Sequence, residues 1–477
     1  MNLRLTFVNL PHMKQHSCHE LKIGQDWIIR RFFSFILYGF LTFFPGALFP
    51  EPLNIEVKAD SAILINADTG AILFEKNGRK QQFPASITKI ATCFYTLQQF
   101  EDKLDVEVTA EAEAISTVTD VAKRKSRYTL PAWWLETSSS HIGLKKGEVL
   151  TLEDLLYGMM IASGNDASNV IAQFISGTIP LFMEEVNLFL KKLGCTDTHF
   201  CNPHGLHHPK HVTTAYDMAL MTKEALKNSN FRKIVKTSRY TKPKTNKQPS
   251  SVLLQTNKLL RKDKKQFYYP KAIGVKTGFT SDAQNTLVAA AEKDGRCLIA
   301  VLLKTKERDD IFIDAKKLFE AAFSQPKLQK TLLKSGSQKG LLLKGAKQTL
   351  IPYIQKDVKM EYYPAEEPNL SCKMHLKKDL FPPIEKGSVI GEIQILNKGE
   401  VSLLSVPVYA KERVDLSLSS SVKNFFFSRK SKEDKVASSL SLITFFKWLL
   451  SLSLMIGIPL GLYSLYKKSN SPTRNLG

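Results

Sequence analysis

Short apolar runs that read as strands stand at both ends of a long helical stretch, and this placement constrains the fold most. Ala62-Ile63-Leu64-Ile65 and Ala71-Ile72-Leu73-Phe74 flank Asp68-Thr69-Gly70 and predict a β-hairpin. Far down the chain come Ala272 to Gly278, Thr286 to Ala291 and Cys297 to Leu303, the last two joined around the turn signal Asp294-Gly295. Between the two groups the apolar period is helical. Ile87, Ile90, Ala91, Phe94 and Leu97 recur at 3, 4 and 7, and Phe182, Val186, Phe189, Leu190 and Leu193 do the same. A further helix opens at Thr151, with Asp154 in a near capping-box position, and breaks at Ser163-Gly164-Asn165; the next starts at Asp166. Thr213 to Ala225 and Asp310 to Phe323 complete the helices, and the Lys-rich stretch before Ala272 reads as a loop. Strands at both ends with helices between them imply an α+β domain, an antiparallel sheet carrying an α-helical lobe.

The chain of 477 residues has room for more than this. From about Gln325 to Val414 short alternating stretches separated by Gly, Pro and Lys predict a small all-β domain. The expected division is a leader at 1–50, a catalytic domain at 51–325, the β-rich domain at 326–415, a Ser/Lys-rich linker at 416–441, a transmembrane helix at 442–466 and a short cytoplasmic tail at 467–477. Arg30-Arg31 before the apolar run Phe32 to Phe49 reads as an export signal. Trp448 to Tyr466 carries no charge and is long enough to span a bilayer. Together they place residues 50 to 440 outside the cytoplasm, at the cell membrane.

A net charge of +22 favours an anionic environment, but no helix-turn-helix, zinc-finger or aromatic RNP pattern accompanies it, so no nucleic acid is expected. The six cysteines are scattered without CxxC spacing, which argues against zinc and a disulfide framework. His204, His207, His208 and His211 cluster, yet lack a helical i, i+4 pair and a carboxylate partner; neither metal nor cofactor is expected.

The chemistry sits at Pro84-Ala85-Ser86-Ile87-Thr88-Lys89, where a hydroxyl and an amine three residues apart share one side of a helix. That is what a serine nucleophile needs from its base. Alone the pattern means little: Ser324 with Lys327, Ser420 with Lys423 and Ser464 with Lys467 match it too, and Lys334-Ser335-Gly336 mimics a strand-end motif. Each element also has a plainer reading, a solvated pair, a helix break, a strand end. Only Ser86, Ser163-Gly164-Asn165 and Lys276-Thr277-Gly278 occur in order at a helix start, a helix break and a strand end.

This ordered set resembles the penicillin-recognising serine peptidases, whose motifs are S-x-x-K, S-x-N and K-T-G. Ile142-Gly143-Leu144, Asn202-Pro203-His204-Gly205-Leu206, Gly274 to Thr280 and the later Pro383-Ile384-Glu385-Lys386-Gly387 are similar to one branch, the low-molecular-mass penicillin-binding proteins acting as D-alanyl-D-alanine carboxypeptidases. The resemblance covers roughly residues 55 to 415. It implies that Ser86 attacks the carbonyl between two D-alanines of a peptidoglycan stem peptide and is acylated by β-lactams. Lys89 would take the serine proton, Ser163 would relay a proton to the leaving amine, and Asn165 would hold Lys89 and the substrate amide. Lys276, Thr277 and Gly278 would bind the substrate, the first two at its carboxylate, and the N–H groups of Ser86 and Phe279 would form the oxyanion hole. His204 and Asp217 are expected to be structural. Thr117 to Ser140 and Lys262 to Tyr269 are longer than the resemblance leads one to expect; both are placed near the cleft, and His207 stands where the family often has an acid. Two other readings share the nucleophile or the wall: a β-lactamase-like hydrolase, for which Glu184-Glu185-Val186-Asn187 is a superficial match, and a weakly active peptidoglycan-binding protein.

Overall fold

The computed structural model describes residues 52–417, Lys398 excepted. The expected leader, the membrane helix, the tail and nearly all of the linker lie outside the described residues. Among those described, no helix is long and apolar enough to cross a membrane.

Five antiparallel strands form the central sheet: β1 (Ser61–Asn66), β2 (Ile72–Lys76), β3 (Ala272–Thr280), β4 (Gln284–Lys293) and β5 (Arg296–Thr305), in the order β2-β1-β5-β4-β3. The N-terminal hairpin therefore docks on the last strand, with Ser61 opposite Leu303 and Asn66 opposite Leu298. Successive side chains point to opposite faces, and both faces are covered. Ile63, Ile65, Val275, Val301 and Leu303 join the core of the helical lobe, while Ala62, Leu64, Leu287, Ala300 and Leu302 pack on the other side with Phe312, Leu318 and Phe319 of a C-terminal helix. Two-sided burial is why these strands read as unbroken apolar runs rather than alternating ones.

The helices are α1 (Lys89–Phe100), α2 (Asp120–Lys125), α3 (Leu152–Ile161), α4 (Asn165–Ser176), α5 (Ile179–Lys192), α6 (Ala215–Ala225), α7 (Ser229–Lys236) and α8 (Asp310–Phe323). The expected capping box closes α3: Asp154 N donates to Thr151 Oγ1 at 3.1 Å, and Thr151 N to Asp154 Oδ2 at 3.3 Å. Two local readings need correction. The Lys-rich stretch is not simply a loop: Asn228 caps α7 by accepting from Phe231 N, and Phe231, Ile234 and Val235 are buried while the lysines face out. A hairpin of Arg239–Lys242 with Ser251–Leu254 follows. The segment Thr117 to Ser140, whose polar sequence reads as an inserted loop, is likewise no plain loop. It holds α2, capped by Thr119, a parallel pairing of Thr117-Val118 with Leu135-Glu136, and a buried Lys123 whose ammonium lies 3.2 Å from Glu136 Oε1.

Beyond α8 the chain is all β. Strands β6 (Leu328–Leu333) and β9 (Val358–Tyr362) pair with each other. A five-stranded sheet runs β7-β8-β12-β11-β10, from β7 (Gly336–Ser337), β8 (Pro352–Ile354), β10 (Ser371–Leu376), β11 (Val389–Leu396) and β12 (Ser402–Ala410). Its own small core holds Leu350, Ile354, Ile390, Ile393 and Val408. A buried ion pair ties it to the first domain: Arg296 Nε donates to Glu366 Oε1 at 2.8 Å, and Asn66 Nδ2 to Glu366 Oε2 at 2.9 Å.

Candidate active site

Ser86 lies in a 3₁₀ turn, Ala85–Thr88, that runs straight into α1 at Lys89. In a 3₁₀ turn residues i and i+3 are eclipsed, which puts the Lys89 amine directly above the Ser86 hydroxyl. The Nζ–Oγ distance is 3.0 Å. The turn is tight: Ala85 has φ +52°, and a Cβ on Gly205 would meet Ala85 O at 1.9 Å, so only glycine admits this approach.

Lys89 is fully buried. Its amine also reaches Asn165 Oδ1 at 2.6 Å and the carbonyl oxygen of His204 at 2.7 Å. Two N–H groups of a neutral amine satisfy those two acceptors and leave the lone pair facing Ser86. The surroundings favour that neutral form. Burial pushes the Lys89 pKa well below the ordinary lysine range, the Lys276 cation adds to this, and the Asp166 carboxylate opposes it. Lys276, also fully buried, is pushed down to about 7 by burial, and its ammonium lies 3.0 Å from Ser163 Oγ and 2.9 Å from Thr277 O. Ser163 is held at φ +64° in the break between α3 and α4, which aims its hydroxyl at Lys276.

The third wall is β3, the edge strand of the sheet, which leaves one row of backbone groups for an extended chain. It passes very close to the nucleophile. A Cβ on Gly278 would sit 2.8 Å from Ser86 N and 2.5 Å from Thr286 Oγ1. Thr277 Oγ1 donates to Thr256 Oγ1 at 2.8 Å. Ser86, Ser163, Asn165, Thr277, Gly278 and Phe279 thus line one cavity of about 270 Å³, with Lys89 and Lys276 packed behind it.

The same cavity takes residues that motif reading does not single out: Ser138 to Ser140, Thr256 and Arg308. Arg308 follows the sheet, next to α8, and only the fold shows that it faces the cleft. The Ile142-Gly143-Leu144 motif has a structural reason. Its three N–H groups donate to the Asp166 carboxylate at 3.0, 2.8 and 3.0 Å, which anchors the Ser138 to Ser140 wall beside α4. His204 is buried, its ring accepting from Leu206 N, and Asp217 accepts from Asp197 N and Thr198 Oγ1. His211 bonds Thr88 and Cys201, and no group of metal-ligating side chains occurs among the described residues.

Two expectations about the surroundings divide. Thr117 to Ser140 does reach the cleft through its serines, whereas Lys262 to Tyr269 does not. Phe267 and Tyr269 are buried against Phe312 and Phe319 of α8, so apolar burial draws that loop onto the opposite face of the sheet. Glu184, Glu185 and Asn187 lie in α5, where Glu185 accepts from Ser176 at 2.5 Å and from Tyr95 at 3.1 Å. No carboxylate of the described residues lines the cavity.

An antiparallel sheet, a helical lobe and a serine flanked by two buried lysines define an active-serine acyl-transfer hydrolase. A model of the D-alanyl-D-alanine carboxypeptidase family matches residues 49–307, and one of the penicillin-binding protein 5 C-terminal domain matches residues 329–416. D-alanyl-D-alanine carboxypeptidase DacF of Bacillus subtilis is 32% identical over 393 residues, covering 80% of this chain and 94% of the relative. DacD of Salmonella typhimurium is 27% identical over 74% of this chain and 85% of its own. The solved structure of DacD from Francisella tularensis has the same fold, with a TM-score of 0.54 over 79% of this chain and all of that one, at 24% identity. The chain belongs to the D-alanyl-D-alanine carboxypeptidase family.

Proposed function

We propose that this serine-type carboxypeptidase removes the terminal D-alanine from peptidoglycan stem peptides through a Ser86 acyl-enzyme, and that β-lactams acylate the same oxygen. One observation carries the assignment of roles: the Lys89 amine, 3.0 Å from Ser86 Oγ, has its other two bonds filled by Asn165 and His204. Lys89 accepts the hydroxyl proton as Oγ attacks the carbonyl. The N–H groups of Ser86 and Phe279 receive the developing oxyanion, a contribution of about 3 kcal/mol per donor in sites of this kind. The C–N bond then breaks as the Ser163 hydroxyl, held by Lys276, passes its proton to the departing amine and takes up in turn the proton that Lys89 had accepted, which leaves Lys89 neutral again. Water attacks the ester in a second half-reaction with Lys89 again as base.

Thr277 and Arg308 line the cavity, with the Lys276 amine buried directly behind Thr277, a set of hydroxyl and cationic groups that suits a free C-terminal carboxylate. A carboxylate bound there restores the charge on Lys276, which in turn depresses Lys89 further. Substrate thereby favours the neutral form of Lys89 that can accept the serine proton. The export-signal reading and the uncharged run Trp448 to Tyr466 support an enzyme held on the outer face of the cell membrane by its C-terminal helix.

The test is release of free D-alanine from a peptide ending in D-Ala-D-Ala by the purified protein, with Ser86→Ala expected to abolish it. Undiminished release by that variant overturns the assignment. A labelled penicillin separates the hydrolytic alternative: a lasting adduct on Ser86 is expected, and rapid turnover without one points to a β-lactamase.

A further inference from the structure

Four of the segments that line the cavity around Ser86 each send a neighbour to one junction beyond it. Phe83 leads into the Ser86 turn, His207 follows the lining residues Gly205 and Leu206, and Asp282 follows Thr280 in the β3–β4 turn. Arg124 and Tyr128 come from the segment that ends in Ser138 to Ser140. These side chains meet. Arg124 Nη2 donates to Asp282 Oδ2 at 3.0 Å, and His207 Nδ1 lies 3.8 Å from the same oxygen. The His207 ring packs edge-on against Phe83 at 4.6 Å and Tyr128 at 5.3 Å. Burial holds His207 below its ordinary pKa, so the neutral ring fills the junction and leaves the Asp282 charge to Arg124. Asp120 orients the guanidinium from one turn away, 3.2 Å from Arg124 Nε.

The position of this junction along the cleft follows from the order of groups on β3. The carboxylate end lies at Lys276 and Thr277, and the scissile carbonyl lies at Gly278 and Phe279 beside Ser86 N. The acyl portion of the substrate must then continue past Phe279 toward Thr280 and Asp282. We propose that the Arg124–Asp282 pair ties the two walls of the cleft together at its acyl end, making Arg124 and Asp282 positioning residues that admit an unbranched stem peptide and disfavour one whose side chain upstream of the D-alanines is cross-linked or otherwise enlarged. The tie belongs to the extended 117–140 segment of this chain, and the inference rests on the carboxypeptidase reading.

Two peptides ending in D-Ala-D-Ala serve as probes, identical except that the residue preceding the dipeptide carries either a free side-chain amine or the same amine bearing a bulky acyl group. The wild-type enzyme is expected to prefer the linear probe by about tenfold in kcat/KM. Arg124→Ala and Asp282→Ala should collapse that ratio toward one, chiefly through KM for the branched probe, and the exchanged pair Arg124→Asp with Asp282→Arg should restore it. Since an exposed ion pair weakens in salt, raising ionic strength should erode the wild-type preference in the same direction. A ratio that stays the same in both single variants overturns the tie, as does an exchanged pair that behaves like the singles. Failure of the wild type to release D-alanine from either probe counts against the carboxypeptidase reading, a separate outcome. Circular dichroism of each variant accompanies the kinetics, and a variant that loses its fold is replaced by Arg124→Gln, which keeps the side-chain length and removes the charge.

Discussion

Two lysines close together and shut away from water make the pH response of this site predictable from single residues. Below about pH 7 Lys276 carries its charge in the free enzyme; above it, burial favours the neutral amine. Lys89 must be neutral to accept a proton, and it already lies well below the ordinary lysine range. kcat/KM for a D-Ala-D-Ala peptide should therefore rise as Lys89 loses its proton and fall as pH passes about 7 and Lys276 loses its own. kcat should hold further into the alkaline range, because a bound carboxylate keeps Lys276 charged. Coincident falling limbs for the two parameters would contradict this. Stability carries the same signature. Between about pH 7 and 8.5 an unfolded chain keeps the proton on this lysine, whose free pKa is about 10.4, while the folded chain releases it. The unfolded state binds more protons in that window, so stability rises with pH. Denaturant midpoints measured across it should climb in the wild type and climb less in Lys276→Met; equal slopes would sink the assignment. The convergence of Ser86, Ser163 and Lys276 was legible because each stands in a short motif at an element boundary. Arg308 was not, since a solitary arginine after a strand carries no local pattern.

At the scale of elements, the site depends on how closely β3 approaches the Ser86 turn. Gly278→Ala would place a methyl group 2.8 Å from Ser86 N, a backbone atom with no room to retreat. The strand must move off the turn, taking Phe279 N out of line with the developing oxyanion, and acylation by a labelled penicillin should slow by about a hundredfold. A rate within twofold of wild type would show that the strand does not set this spacing. The same elements show where sequence reading holds. Sheet, α3 cap, α4 start and α8 were visible because apolar period and capping residues are local. Helix α7 was hidden by composition: Lys233 and Lys236 dominate the stretch, though Phe231, Ile234 and Val235 supply its buried face. The loop Lys262 to Tyr269 was misplaced because its length said nothing about which face of the sheet Phe267 and Tyr269 would reach.

At the scale of the whole molecule, a buried ion pair helps join the two domains. Arg296 opens β5 and Glu366 sits between β9 and β10; their side chains are 5% and 8% exposed. The guanidinium also donates to Ala322 O and stacks on Tyr363 at 3.9 Å. Glu366→Ala leaves a charged arginine without its counter-ion in a dry interface, a loss of about 3–5 kcal/mol. Thermal unfolding should begin earlier, with the β-rich domain separating from the catalytic one, and Arg296→Met added to Glu366→Ala should recover part of the loss. If the single variant melts like the wild type, the contact does not couple the domains. Its existence was not readable from the chain, where the two residues stand far apart in segments of different texture.

The sheet order has a further consequence, in time rather than space. Strand β1, with Ser61 set against Leu303, cannot be seated until the chain is complete to β5, and β3 reaches the sheet only through β4. Such long-range pairing makes folding slow relative to helix formation. A chain emerging from its N-terminus presents Ser86 and Lys89 early, but without Lys276 or the sheet that carries it. The nucleophile stays unassembled until the last strand arrives, so the enzyme is born inactive and switches on once, as a unit.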